Sequence, residues 1–230
     1  MPGTEPLLSV VIPAFNEAES IEGTVKSALS ALDAQPASYE VLLVDDGSGD
    51  GTLALLRAME GRHAAVRVMV HPKNRGLGAA LRTGFENSRG EFLTWIPGDG
   101  QFDLREVLTG LPLLREHDVV VALRDGVRRS WRIMITWCFH IVTWILFRFD
   151  ASDMCGIYLI RRSAWEGIHP KADNIFYNLE VPMLCVKQGK RLGRIRIKLL
   201  PRLLGVSKVS NARTMSRNLL EMAKICFGRE

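Results

Sequence analysis

The chain has 230 residues, 47% of them hydrophobic and 24% charged; this supports one sizeable core and excludes a disordered chain, a fibrous repeat and a multi-span membrane protein. Its net charge of +5 conceals two opposed halves: residues 1–120 hold 10 Lys/Arg against 17 Asp/Glu, and residues 121–230 hold 20 against 8. The second half is therefore expected to face something anionic, whether nucleic acid, a phosphorylated substrate or a lipid surface, with a solvated basic face as the plain alternative.

In chain order, Leu8 to Pro13 is a short apolar, β-branched run that reads as a buried strand, and Glu17 to Leu32 sets Ile21, Val25, Leu29 and Leu32 at helical spacing. Tyr39 to Val44 reads as a second strand running into an Asp- and Gly-rich turn. Leu53 to Met59 is a predicted helix, Val66 to Val70 a strand, Gly76 to Ser88 a helix and Phe92 to Ile96 a fourth strand. Such alternation builds an α/β fold, a mostly parallel central sheet with helices on both faces. Ligands bind beyond the carboxyl ends of strands in such sheets. The polar, Gly-rich segments 14–17, 45–51, 73–78 and 97–103 all fall there.

Asp103 to Leu114 reads as a further helix and Asp118 to Leu123 as a strand, followed by the basic run Arg124 to Arg132. Residues 131–149 read as an apolar helix, which would be about 28 Å long. Its polar members Arg132, Thr136, His140 and Thr143 make one narrow stripe. A membrane crossing would separate Arg124 from Asp153, Gly156 and Arg202, so the helix is expected to lie along an interface or to pack in the core. A strand near Gly156 to Ile160, a helix around Phe176 to Lys187, a strand at Arg191 to Leu199, a polar turn and a closing amphipathic helix complete one domain over 1–230. Cys138, Cys155, Cys185 and Cys226 make no CxxC pair, so a reducing compartment is expected; Met1 to Pro6 lacks the start of a signal peptide.

Three groups of residues carry chemistry. Asp45 and Asp46 end a buried strand, where carboxylates accept hydrogen bonds from a base N–H or a ribose hydroxyl; the plain alternative is a turn capped by Ser48 or Asp50. No GxGxxG opens the first helix, and the acidic turn would repel a pyrophosphate, which argues against a dinucleotide site. Asp99 and Gln101 offer hard oxygen ligands suited to Mg²⁺ or Mn²⁺, with Asp103 placed to cap the next helix. Arg124, Arg128, Arg129 and Arg132, and later Arg202, Ser207 and Lys208, suit a phosphate. The five histidines share no metal-binding spacing.

Val10 to Glu17, Val44 to Ser48, Asn74 to Ala80, Asp99 to Gln101 and Arg202 to Lys208 occur in the order found in family 2 glycosyltransferases. The chain resembles their polyprenyl-phosphate (dolichol-phosphate) mannosyl- and glucosyltransferase branch over about residues 7 to 210. The resemblance implies a GT-A, nucleotide-diphospho-sugar transferase fold. A nucleotide-sugar half spans about 7–123, and an acceptor and membrane-facing half about 124–230. It implies that Pro13, Ala14, Phe15, Glu17, Asp45, Asp46, Gly76, Asp99 and Gly100 hold a UDP or GDP sugar and that Asp99 and Gln101 hold the metal. It further implies that Arg124, Arg128, Arg129, Arg202, Ser207 and Lys208 hold the phosphate of a lipid-linked acceptor, with Asp99, Arg124, Arg202 and Lys208 central to catalysis. The expected activity is inverting, metal-dependent sugar transfer to a polyprenyl phosphate by a peripheral protein on the cytoplasmic face of a membrane, with no nucleic acid and with scope for a membrane partner subunit. A saccharide or other hydroxyl acceptor, or a silent nucleotide-sugar binder, are the alternatives. Pro97 stands where the family's metal motif usually has its first Asp, Phe15 stands for a common Tyr, and no transmembrane hairpin follows the domain.

Overall fold

Every residue of β1 (Leu8–Ala14) is buried, as expected of an apolar β-branched run paired on both sides. Parallel neighbours flank it: β2 (Tyr39–Asp45) in register from Leu8↔Tyr39 to Ala14↔Asp45, and β4 (Phe92–Trp95) from Leu8↔Phe92 to Val11↔Trp95. The computed structural model describes residues 6–125 and 154–200. Within them β3 (Val66–Val70), β5 (Val119–Arg124), β6 (Met154–Arg161) and β7 (Leu192–Ile197) complete a sheet of order β3-β2-β1-β4-β6-β5-β7. Only β6 runs antiparallel, between β4 and β5. The carboxyl ends of β1, β2, β3, β4, β5 and β7 consequently share one rim.

Helices α1 (Ile21–Asp33), α2 (Thr52–Glu60) and α3 (Leu77–Glu86) connect the first four strands. The sequence places the start of α1 at Glu17, but it begins at Ile21. The amides of Glu17 and Ala18 are taken by Thr52 Oγ1 (2.9 Å) and Asp50 Oδ2 (3.2 Å), which holds that segment as a turn. The helix expected over Asp103–Leu114 is two pieces, α4 (Leu104–Leu108) and a 3₁₀ turn (Leu111–Arg115). It breaks at Thr109-Gly110, where Gly110 lies against Leu159 and Val120 of the sheet with no room for a side chain, and Pro112 withholds an amide. Helices α5 (Arg162–Glu166) and α6 (Tyr177–Lys187) complete the described elements.

Helix α3 is fixed by close backbone approach. The Asp173 carbonyl accepts from the amides of Gly78 (2.8 Å) and Ala79 (3.3 Å), using donors that a helix start leaves unpaired. A Cβ on Gly78 would sit 2.3 Å from the Ala172 oxygen. Gly78→Ala is therefore expected to cost about 2–3 kcal/mol, through displacement of the 172–173 backbone. Urea unfolding measures this, and an unchanged midpoint would contradict the packing.

Candidate functional site

Four loops at the rim, after β1, β2, β3 and β4, are stitched to one another. Asn16, at a left-handed φ of 52°, donates its amide to Ser48 Oγ (3.0 Å), while its own Oδ1 accepts from the Gly49 amide (2.8 Å). Burial raises the Asp50 carboxyl, but bonds from the Thr52 hydroxyl and amide and from the Ala18 amide outweigh it, and the net shift is downward. Pro13 and Ala14 lie buried at the strand end, with Phe15 and Glu17 half-buried beyond it. This turn sets the near wall of the rim against the acidic turn after β2.

The two aspartates at the end of β2 are buried and differently employed. Asp46 Oδ1 meets His71 Nδ1 at 2.6 Å and accepts from the Arg75 amide at 2.9 Å; its Oδ2 accepts from the Gly76 amide at 2.9 Å. His71 Nε2 in turn meets Thr83 Oγ1 at 2.9 Å, so a buried pillar runs from β2 through the β3 loop to α3. Gly76 sits at φ +100°, and a Cβ there would lie 2.4 Å from the Asp173 oxygen; only glycine lets the loop pass. Asp45 Oδ2 accepts from the Ser48 amide at 3.2 Å, while its buried Oδ1 has no hydrogen-bond partner among the described residues. Of the pair, Asp46 braces the rim and Asp45 retains accepting capacity.

The loop after β4 is tethered by its backbone. The Gly98 carbonyl accepts from Ser20 Oγ (3.0 Å) and Thr24 Oγ1 (3.1 Å) of the α1 entry, and the Gly98 amide donates to the Pro13 carbonyl (3.2 Å). Asp99 Oδ1 accepts from the Gln101 amide at 3.2 Å, Gly100 turns at φ +73°, and Asp103 caps α4 by accepting from the Arg105 amide (2.9 Å), as the sequence implied. Leu200 donates its amide to the Gln101 carbonyl (3.0 Å), and Phe102 bridges Leu199. No group of three or more His, Cys, Asp or Glu that could hold a metal occurs among the described residues. Asp99 and Gln101, half-buried hard oxygen donors at the rim, fit a divalent ion that keeps most of its shell for water and phosphate oxygens.

Arg124 ends β5, exposed at the same rim as Asp99. One strand, β6, separates β4 from β5, which puts the two strand axes roughly 10 Å apart. Arg128, Arg129, Arg132, Asp153, Arg202, Ser207, Lys208, the 131–149 helix and the closing helix lie outside the described residues.

Side chains on α3 and α6 complete the site's support. Buried Glu180 on α6 accepts from the amides of Lys171 (2.9 Å) and Ala172 (2.8 Å), and Arg82 of α3 binds Asp173 Oδ1 (2.8 Å) and the Ala172 carbonyl (3.0 Å). Together they pin the 171–173 backbone that caps α3. Burial raises the Glu180 carboxyl above its ordinary 4.5, against the lowering pull of those two amides, Arg82 and Lys171. Folded Glu180 thus binds its proton more tightly than unfolded Glu180. Its contribution to stability is fully present below 4.5 and is lost as pH rises through the folded value. The stability difference between Glu180→Gln and wild type is expected to move in the variant's favour as pH climbs from 4.5; a constant difference in urea melts would refute it.

The model of the family described as glycosyl transferase family 2 matches residues 9–162. The chain belongs to glycosyl transferase family 2. Among its relatives, dodecaprenyl-phosphate galacturonate synthase of Rhizobium johnstonii is 28% identical over 226 residues, covering 96% of this chain and 66% of that protein. Human dolichyl-phosphate beta-glucosyltransferase is 34% identical over 179 residues, covering 68% of this chain and 55% of that protein. The chain thus spans slightly under two thirds of the first relative and just over half of the second, and the resemblance to the polyprenyl-phosphate branch of the family holds. Glucosyl-3-phosphoglycerate synthase from Mycobacterium tuberculosis, solved with Mn²⁺, UDP and glucosyl-3-phosphoglycerate, superposes with a TM-score of 0.71 at 17% identity, covering 96% of this chain and 80% of that one. That likeness shows the fold, the GT-A arrangement expected from the motifs.

Proposed function

We propose that this family 2 member transfers a sugar, with inversion, from a nucleoside diphosphate sugar to a polyprenyl phosphate, as a peripheral protein at the cytoplasmic face of a membrane. The observation that carries the proposal is the order of groups along one rim: acidic turn at β2, Asp99 and Gln101 at β4, Arg124 at β5. Relatives named for dodecaprenyl- and dolichyl-phosphate reactions support the acceptor class, and a fold neighbour solved with Mn²⁺ and UDP supports a divalent ion and a nucleotide donor. No helix among the described residues is long and apolar enough to cross a membrane.

The nucleoside lies against Pro13 to Glu17, with Asp45 accepting from its base or ribose and Asp46 holding the Arg75–Gly76 loop that closes over it. Asp99 and Gln101 hold the divalent ion beside Gly100. When bound, that ion supplies positive charge to the leaving diphosphate. Arg124, with Arg128 or Arg129, Arg202, Ser207 and Lys208, holds the acceptor phosphate behind the anomeric carbon. A phosphate oxygen forms the new bond to that carbon as the bond to the donor diphosphate breaks, and its electron pair leaves with the nucleoside diphosphate. The acceptor is already anionic at neutral pH, so positioning and charge suffice without a general base. Glu180, committed to two backbone amides, is not required in that role.

Transfer of radiolabelled sugar from UDP- and GDP-sugars to a short-chain prenyl phosphate, with and without Mn²⁺, tests the proposal. Metal-dependent formation of a prenyl-phosphate sugar is expected. Transfer to a saccharide hydroxyl instead, or nucleotide-sugar binding with no turnover, would overturn it.

A further inference from the structure

Residues 186–200 contain six cations, Lys187, Lys190, Arg191, Arg194, Arg196 and Lys198, and no acid. They follow α6 into β7, the last strand of the described sheet. Strand alternation sorts β7 into two faces. Gly193 and Ile197 are buried and Ile195 half-buried against the α4 side, while Arg194, Arg196 and Lys198 are exposed on the other face. Successive cations on one strand face stand about 7 Å apart, so the three form a row about 13 Å long.

The acids packed nearby do not neutralise the row. Asp118 pairs with Arg191 at its lower end (Oδ2 3.7 Å from Nε), and Glu106 spends its carboxylate on the Lys198 backbone amide. Asp125 follows Arg124, its amide bonded to the Ile197 carbonyl. No acidic side chain pairs with Arg194, Arg196 or the Lys198 ammonium among the described residues. Beyond the row Leu200 is 45% exposed, more than any other large apolar side chain among the described residues. Charge on an edge strand also deters strand-to-strand association, but that role does not call for a single-sign row ending in an exposed leucine.

We propose that this sheet edge docks the protein on an anionic lipid surface, with the Arg194–Arg196–Lys198 row over the headgroups and Leu200 at the acyl boundary. The inference rests on the lipid-phosphate reading above and names the surface that delivers it. The strand order makes the geometry productive: docking through β7 brings Arg124 on neighbouring β5 close to the lipid, and leaves the nucleotide loops of β1 to β3 at the far side, open to water. Cations near an anionic bilayer each add about fivefold to binding, and the attraction is screened by salt.

The test is co-sedimentation of the full chain with vesicles of phosphatidylcholine alone, or of phosphatidylcholine with phosphatidylglycerol, using wild type and the double variant Arg194→Glu/Arg196→Glu. Wild type is expected to bind the anionic vesicles, lose them in high salt and ignore the neutral ones, and the variant to bind at least about 20-fold more weakly. The variant should keep its melting temperature and its transfer to a soluble short-chain prenyl phosphate. Should the reversal unfold the chain, Arg194→Gln/Arg196→Gln carries the same comparison with a smaller drop. Equal binding by variant and wild type, or equal binding of wild type to neutral vesicles, would overturn the docking surface. Preferential binding of an RNA oligonucleotide, lost in the variant while vesicle binding persists, would reassign the row to nucleic acid. Absent transfer in solution with vesicle binding intact would sink the sugar-transfer reading and leave the docking surface standing.

Discussion

Asp99→Asn is expected to lower sugar transfer at least about 100-fold and to leave the melting temperature where it is. The two halves of this expectation have separate causes. Asparagine preserves the shape of the loop, because its Oδ1 can accept the Gln101 amide as the carboxylate does, and the tethers at Gly98 involve only backbone and the α1 hydroxyls. What is lost is the single negative charge that Asp99 and Gln101 offer together. Pro97 stands where the family's metal motif usually places a second carboxylate. Raising Mn²⁺ should recover part of the rate if the loss is one of ion affinity. Near-full transfer by the variant at ordinary Mn²⁺ would remove Asp99 from the ion's coordination.

Asp46→Ala is expected to be the most destabilising single change at the rim, about 3–5 kcal/mol, because a buried imidazole and two part-buried amides lose their acceptor together. These are the His71 ring nitrogen and the amides of Arg75 and Gly76, all within 2.9 Å of the carboxylate. Asp46→Asn keeps one acceptor oxygen and should cost about half as much. Urea unfolding of both variants separates the cases. A loss under about 1 kcal/mol for Asp46→Ala would mean that the pillar is not a buried brace. The asparagine variant, still folded, is expected to raise KM for the donor more than it lowers kcat if, as proposed, the loop it loosens holds the nucleotide.

The strand–helix alternation was readable because buried parallel strands are short apolar runs, and β3 spans Val66–Val70 as periodicity indicated. Boundaries moved where long-range bonds compete with local preference, as at Glu17 and Ala18, whose amides serve residues more than thirty positions away. The antiparallel direction of β6 has no sequence signal, since an apolar run carries no arrow. At the site, the acidic turn and the Asp99 loop announced themselves by glycines and carboxylates. The supports did not: His71 looked like an isolated histidine, and its partner is 25 residues earlier in the chain. Glu180 and Arg82 reach the 171–173 backbone from two helices, a convergence that exists only once α3 and α6 are packed.

The Leu200 amide, just past β7, is bonded to the Gln101 carbonyl of the loop after β4. In the proposed function that bond would tie the acceptor side of the rim to the loop offered for the ion. A shift of the backbone at Leu200 would be felt at Gln101, and ordering of Gln101 would be felt at Leu200 in return. Any coupling carried by that bond would be reciprocal: whatever factor one substrate imposed on the other's affinity would be returned unchanged. The sign and size of that factor are what donor titrations with and without a prenyl phosphate would read.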